Sequence, residues 1–241
     1  IATPTSSHYT VAYEFLKRGI CVLIEKPFTV SLWQANQLIK LAKKNNLILQ
    51  VGHVERFNSA FCTVQKIIKN PRFIECHRLS NFPKRSLDVG VVLDLMIHDI
   101  DIILSLVNSE IKKIEAVGVN VLTPFEDIAN ARISFENGCI CNLTASRISD
   151  EVVRKIRIFT DKFYISLDYK QEEAFLYKRI GSEIIKEVLP IEREEPLKRE
   201  LNHFIECVLY QRRPLVPGEI AKEVLSVALK IQRKIWKNKK F

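Results

Sequence analysis

Glycine is scarce in this chain: seven residues in 241, no two of them in a G-x-G arrangement. That excludes a complete glycine-rich phosphate turn within these residues. Methionine occurs once, as Met96, and residue 1 is isoleucine. No apolar run reaches the roughly 18–20 residues that a membrane-spanning helix needs. No charged-then-apolar leader opens the sequence. The six cysteines (Cys21, Cys62, Cys76, Cys139, Cys141 and Cys207) include no C-x-x-C pair. That usage argues against a disulfide framework or a zinc site and for reduced thiols in the cytoplasm, so no metal site is expected.

Acidic side chains are the minority, 28 Asp and Glu against 37 Lys and Arg, leaving a net charge of +9. An excess of this size suits an anionic partner, for example a phosphorylated small molecule. The basic residues are mostly dispersed. Their one dense cluster, Lys234-Ile235-Trp236-Lys237-Asn238-Lys239-Lys240, reads as a solvated helix end where cations complement the helix dipole. There is no nucleic-acid recognition motif and no basic strand interleaved with aromatics, so neither nucleic acid nor membrane is the expected partner.

What is present is an alternation of helix and strand followed by a change of grammar. Residues 9–18 read as a short helix ended by Gly19, and residues 21–24 form a continuous apolar run, as in a strand buried on both faces. Ser31 caps a second helix with Leu32, Ala35, Leu38, Ile39 and Ala42 at helical spacing. Residues 47–51 are the next strand. Such units imply right-handed crossovers and a parallel sheet. The first residues read as the end of an earlier strand. The expectation is therefore that residues 1–56 are the remaining half of a Rossmann-type dinucleotide domain whose earlier strands and glycine turn lie outside this sequence.

After Arg56 the pattern predicts helices over 60–69 and 91–106. Strands are expected near 73–79, 114–121, 129–135, 139–146, 155–159, 164–167 and 174–177, with Glu136-Asn137-Gly138 as a hairpin turn. Two helices, 197–211 and 218–237, close the chain. The fold class is α/β, then an α+β domain over 57–241 with a large, mainly antiparallel open sheet.

Three stretches could carry chemistry. Glu25-Lys26-Pro27 follows a buried strand, at the carboxyl end of the sheet where ligands bind in open α/β folds. A lysine there can hold a substrate hydroxyl or move a proton; an exposed strand end is the plainer alternative. In Asp94-Leu95-Met96-Ile97-His98-Asp99-Ile100-Asp101, helical spacing sets Asp94 and His98 on one face and Asp101 beside His98. A carboxylate beside an imidazole orients it as a general base requires, and the same pair could be a surface ion pair. His53 and Arg56, in Gly52-His53-Val54-Glu55-Arg56-Phe57-Asn58, end the third strand. Arg56 suits phosphate or carboxylate, or else braces the fold by pairing with an acid. Arg147 and Arg154 are weaker candidates for anion binding. His53, Arg56, Asp101 and Arg147 are the candidate substrate-binding residues.

The loop from Ala2-Thr3-Pro4-Thr5 to His8, the Glu25-Lys26-Pro27 tripeptide and the Asp94-x-x-x-His98-Asp99-x-Asp101 helix resemble, in order and approximate spacing, the Gfo/Idh/MocA oxidoreductases. Within that family the sequence is similar to dehydrogenases of UDP-linked N-acetyl amino sugars that serve the synthesis of amide-linked lipid A. Gly52–Asn58, Arg85-Ser86-Leu87-Asp88-Val89, Val92–Asp99, Asp127–Arg132 and Asn142–Arg147 carry that similarity. The resemblance implies a nucleotide-dependent dehydrogenase using NAD or NADP, with NAD favoured, in which Ala2, Thr3, Pro4, Thr5, His8, Glu25 and Lys26 line the cofactor. It implies a catalytic trio of Lys26, Asp94 and His98, a nucleotide-sugar substrate and self-association through the antiparallel sheet. The alternative is a non-catalytic relative that keeps the sheet as an oligomerisation or partner-binding module.

Overall fold

The computed structural model describes residues 1–82 and 88–237. Arg85-Ser86-Leu87, quoted above for the resemblance, and the lysines beyond Lys237 lie outside the described residues. The chain divides into two compact units, Ile1–Val54 with Glu195–Val227, and Glu55–Glu194 with the chain from Ala228 onward.

In the first unit, helix α1 (Thr5–Lys17) leads to strand β1 (Val22–Glu25), helix α2 (Leu32–Lys44) and strand β2 (Leu49–Gly52). The strands pair in parallel from Val22↔Leu49 to Glu25↔Gly52. Gly19, at φ +78°, closes α1 in a conformation that favours glycine. The Ser31 hydroxyl accepts from the Gln34 amide at 3.3 Å to start α2, which buries Ala35, Leu38, Ile39 and Ala42. Ile1 lies along β1: its carbonyl accepts from the Glu25 amide at 2.9 Å and its amine donates to the Leu23 carbonyl at 2.6 Å.

The closing helices correct the expected domain plan. Helix α5 (Pro196–Leu209) and the first half of α6 (Gly218–Lys237) belong with the first unit, not with 57–241. The reason is local. The Val51 amide donates to the Val216 carbonyl at 3.0 Å, and Gln50 bridges to Pro217. Gly218 then seats α6 so closely that a Cβ there would lie 2.8 Å from Ile39 and 2.9 Å from Leu49.

The second unit is built on an eight-stranded sheet in the order β10-β9-β8-β7-β3-β6-β5-β4. Its strands are β3 (Phe73–Leu79), β4 (Ile111–Val119), β5 (Ile128–Phe135), β6 (Ile140–Ser146), β7 (Val153–Phe159), β8 (Phe163–Asp168), β9 (Glu173–Ile180) and β10 (Glu183–Val188). All pairs are antiparallel except β3 with β6. β10 was missed by the sequence reading because its alternating residues, including exposed Ile184 and Val188, bury little. The Glu136-Asn137-Gly138 turn joins β5 to β6 as read, with Gly138 at φ +84°.

Alternation along the strands sends Ile74, Cys76, Ala131, Ile133, Cys141, Leu143, Ile156, Ile158, Ile165 and Leu167 into the core. Helix α3 (Ser59–Ile67) packs on β8 and β9, and α4 (Ile97–Leu106) on β3. Ile235 of α6 lies over Gly118 on β4, where a Cβ would come within 2.9 Å of it. The opposite face carries a cross-strand aromatic row: Phe73 with Phe159 (centroids 5.7 Å apart), Phe159 with Tyr164 (5.1 Å) and Tyr164 with Tyr177 (4.4 Å).

Candidate active site

At the carboxyl ends of β1 and β2 stand the segments that were read as cofactor-facing. Ala2, Thr3 and Pro4 are exposed, Thr5 is buried, and Glu25 and Lys26 are half-buried. α1 begins at Pro4 with no side-chain cap. Its first-turn amides therefore keep the donor capacity that helix N-termini offer to polar ligand groups. Glu25 lies over Gly52, where a Cβ would meet the carboxylate at 3.2 Å. The Lys26–Pro27 peptide is cis.

His8 has a different place from the one expected. Its ring is buried between two carbonyl oxygens, Nδ1 at 2.9 Å from Pro27 and Nε2 at 2.9 Å from Thr3. Its ring N–H donates to one or the other of these carbonyls according to tautomer, and the ring is packed between the Thr3 loop and the Lys26-Pro27 strand end. These residues fit the nicotinamide side of a dinucleotide: an exposed backbone loop, an uncapped helix start, and Lys26 at the strand end. The pyrophosphate turn is not among the 241 residues. His53 is buried at the end of β2, its amide donating to the Val51 carbonyl at 2.9 Å.

In the second unit, the stretch read as one α-helix from 91 to 106 is in two parts: a π-helical turn, Val92–Met96, and then α4. Asp94 therefore lies within the π-helical turn and His98 in the first turn of α4. π-turns of this kind occur often at functional sites. This one is held at its start by Glu126, whose backbone carbonyl accepts from the Val91 amide at 2.9 Å and whose carboxylate accepts from Val92 at 3.4 Å and from the Gln232 amide at 2.9 Å. Beneath it stands Gly90, where a Cβ would fall 2.1 Å from the Glu126 carboxylate, so a larger residue there would have to displace that side chain from its bonds to Val92 and Gln232. Asp94 and His98 are half-buried, while Asp99 and Asp101 point into the core.

Those two aspartates build a buried charge frame. Arg78 grips Asp99 through Nε (3.1 and 3.2 Å) and Nη2 (2.8 Å), and gives Nη1 to Glu55 at 2.8 Å. The Tyr169 ring lies 5.5 Å from the guanidinium. Burial works against charge on Arg78, but Asp99 and Glu55 outweigh it and push its pKa well above the ordinary value. Burial likewise pushes the Tyr169 hydroxyl up. Arg56 Nε donates to Asp101 at 2.7 Å, both side chains being buried. Of the two readings for Arg56, the structure realises the brace, with Asp101 rather than Glu55 as partner. Arg56 and Asp101 thus tie η1 (Val54–Phe57) to α4 across 45 residues.

Arg147 is also a brace. It is 0% exposed, with Nε on Asp127 (2.9 Å), Nη1 on the Val89 carbonyl (2.8 Å) and Nη2 on the Thr123 hydroxyl (2.7 Å). Burial acts to raise the Asp127 pKa. Hydrogen bonds from the Thr123 side chain and from the amides of Leu122, Thr123 and Val121 outweigh it and hold the carboxyl well below the usual range. Sequence reasoning missed Arg78 and Glu126 altogether. The signal for Arg78 was available: in β3 it follows Ile74 and Cys76 at a spacing of two, so it had to face the core. Glu126 has no such signature, lying in an irregular loop.

Comparison with known proteins agrees with both halves. Residues 1–53 match the oxidoreductase family with an NAD-binding Rossmann fold, and residues 51–166 match the Gfo/Idh/MocA C-terminal domain. The UDP-N-acetylglucosamine 3-dehydrogenase of Acidithiobacillus ferrooxidans is 34% identical over 96% of this chain and 76% of its own length. The solved structure of that enzyme superposes with a TM-score of 0.92, covering 97% of this chain and 76% of its own. The scyllo-inositol 2-dehydrogenase (NAD(+)) of Bacillus subtilis is 27% identical over 90% of this chain and 68% of its own length. A 14%-identical inositol dehydrogenase homologue from Azotobacter vinelandii shares the fold at a TM-score of 0.85. With similarity of this extent running through both units, this chain belongs to the Gfo/Idh/MocA family of oxidoreductases.

Proposed function

We propose that this protein is an NAD-dependent dehydrogenase that oxidises the C3 hydroxyl of UDP-N-acetylglucosamine, in the cytoplasm, on the route to amide-linked lipid A. One observation carries the reading: the 34% identity to an enzyme of that name extends over 96% of the chain and so includes the segments bearing Lys26, Asp94 and His98. The excess of 37 basic over 28 acidic residues suits a substrate that carries a diphosphate.

The chain's own residues divide the work as follows. His98 takes the proton of the sugar hydroxyl. Lys26 donates a hydrogen bond to that oxygen and stabilises the charge that develops as the proton leaves. Asp94 orients the sugar and the imidazole. NAD, when bound, supplies the hydride acceptor, with Ala2–Thr5, Glu25 and Lys26 holding its nicotinamide end. Arg78 with Asp99 and Arg56 with Asp101 keep α4, and hence the His98 backbone, from shifting.

The test uses protein from the complete reading frame that contains these residues, assayed with UDP-N-acetylglucosamine and NAD. His98→Ala is expected to lower kcat by about 10²–10⁴-fold, the usual contribution of a general base, with NADH affinity and thermal unfolding unchanged. It should also remove the limb of the pH profile that reports the base. Retention of activity within tenfold would remove His98 from the role. If the unsubstituted protein binds neither NADH nor the sugar nucleotide, the non-catalytic reading replaces this one.

A further inference from the structure

We propose that the C-terminal half of α6, together with the start of β4, is a docking surface for an anionic phospholipid bilayer. Six exposed cations, Lys112, Lys113, Lys230, Arg233, Lys234 and Lys237, line one open groove of about 440 Å³ whose floor is Ile111 and Ile114. No acid lines it. Lys112 has Glu136 at 3.8 Å and Lys113 has Glu115 at 2.8 Å, both exposed pairs of little strength. Among the described residues no ion pair is found to the four cations of α6.

Those four are spaced i, i+3, i+4 and i+7, so like charges crowd one helical face, which is unfavourable in the isolated protein. The helix dipole accounts for Lys234 and Lys237 in the last turn. It does not account for Lys230, a turn earlier, nor for two lysines brought in by a separate strand. A polyanion does.

A second feature selects the bilayer among polyanions. Arg233 and Lys237 also border an adjoining hollow of about 410 Å³ completed by Leu229, Gln232 and Trp236, and Trp236 is 42% exposed. An indole and a leucine beside a row of lysines, on one helix, is the composition of segments that lie in the head-group layer. Aromatic and apolar residues stand to one side of the cations rather than between them, which disfavours a stacked nucleic-acid strand. No helix among the described residues is long and apolar enough to cross a membrane, so the contact is peripheral.

The experiment is flotation with vesicles of phosphatidylcholine alone or with one-third phosphatidylglycerol, at low and high salt. Because the chain has only two tryptophans, a Trp33→Phe background makes Trp236 the reporter. Binding to the anionic vesicles, a blue shift of Trp236 emission and loss of both at high salt are expected. Lys230→Glu with Lys234→Glu should reduce partitioning at least tenfold, since each cation near an anionic surface is worth roughly a fivefold factor, while thermal unfolding stays unchanged. Equal binding to neutral vesicles, no shift of Trp236, or undiminished binding by a folded charge-reversed variant overturns the proposal. So does an oligonucleotide that binds more tightly than the vesicles and displaces them.

Discussion

Asp127 shows how a single carboxylate can hold a loop beside the candidate site. It accepts from the amides of Val121, Leu122 and Thr123 at 2.7–3.0 Å and from Arg147 at 2.9 Å. Its pKa in the folded state lies below the unfolded value of about 3.9. The stability it contributes is therefore complete above about pH 4 and is lost as the pH falls further. Asp127→Asn should cost about 3–5 kcal/mol at neutral pH, the cost of leaving Arg147 buried without its counter-charge. In thermal unfolding followed downward from pH 7, the gap to the unsubstituted protein should narrow below about pH 4; a constant gap would contradict the assignment. At this scale the sequence was a partial guide. Arg147 and Arg56 are basic residues near strand ends, and nothing in their neighbours in sequence says that Asp127 and Asp101 come to meet them across 20 and 45 residues.

At the scale of elements, the π-turn and α4 are held from below by Arg78. Three of its nitrogens satisfy Asp99 and Glu55, so the frame is complete only with the guanidinium in place. Arg78→Ala leaves two buried carboxylates without a cation and should destabilise the protein by about 3–5 kcal/mol in denaturant unfolding. A loss under about 1 kcal/mol would show that water or other groups replace the guanidinium. The elements themselves were largely legible, because periodicity of 2 and 3.6 and the caps at Ser31, Gly19 and Gly138 act within a few residues. The π-turn was not. It depends on Glu126 fixing the amides of Val91 and Val92 from a loop more than thirty residues away, while Leu93, Met96 and Ile97 look like any buried helix.

At the scale of the whole molecule, we propose that the outward face of the eight-stranded sheet is a self-association surface. Phe73, Phe159, Tyr164 and Tyr177 stack across four strands, and Lys186 sits 3.9 Å above the Phe175 ring. This aromatic row, flanked on the same face by polar pairs such as Arg157–Glu75 and Arg132–Asn142, offers a surface that a second copy could cover. Tyr164→Asp should shift the mass seen by light scattering toward the monomer without lowering the unfolding temperature of the subunit by more than a few degrees; a monomer before substitution would contradict the reading. The fold class was legible from the change of pattern near Arg56. The return of α5 and half of α6 to the first unit was not, since it rests on the Val51–Val216 pairing and on the close seat at Gly218.

The central claim concerns one C–H bond. With UDP-N-acetylglucosamine carrying deuterium at C3, protein from the complete reading frame should transfer that deuterium to the nicotinamide ring, with a slowed rate if the transfer limits turnover. Reduced cofactor without the label, or no reduced cofactor while inositols or unlinked sugars are oxidised, would contradict the assignment of the sugar and the carbon.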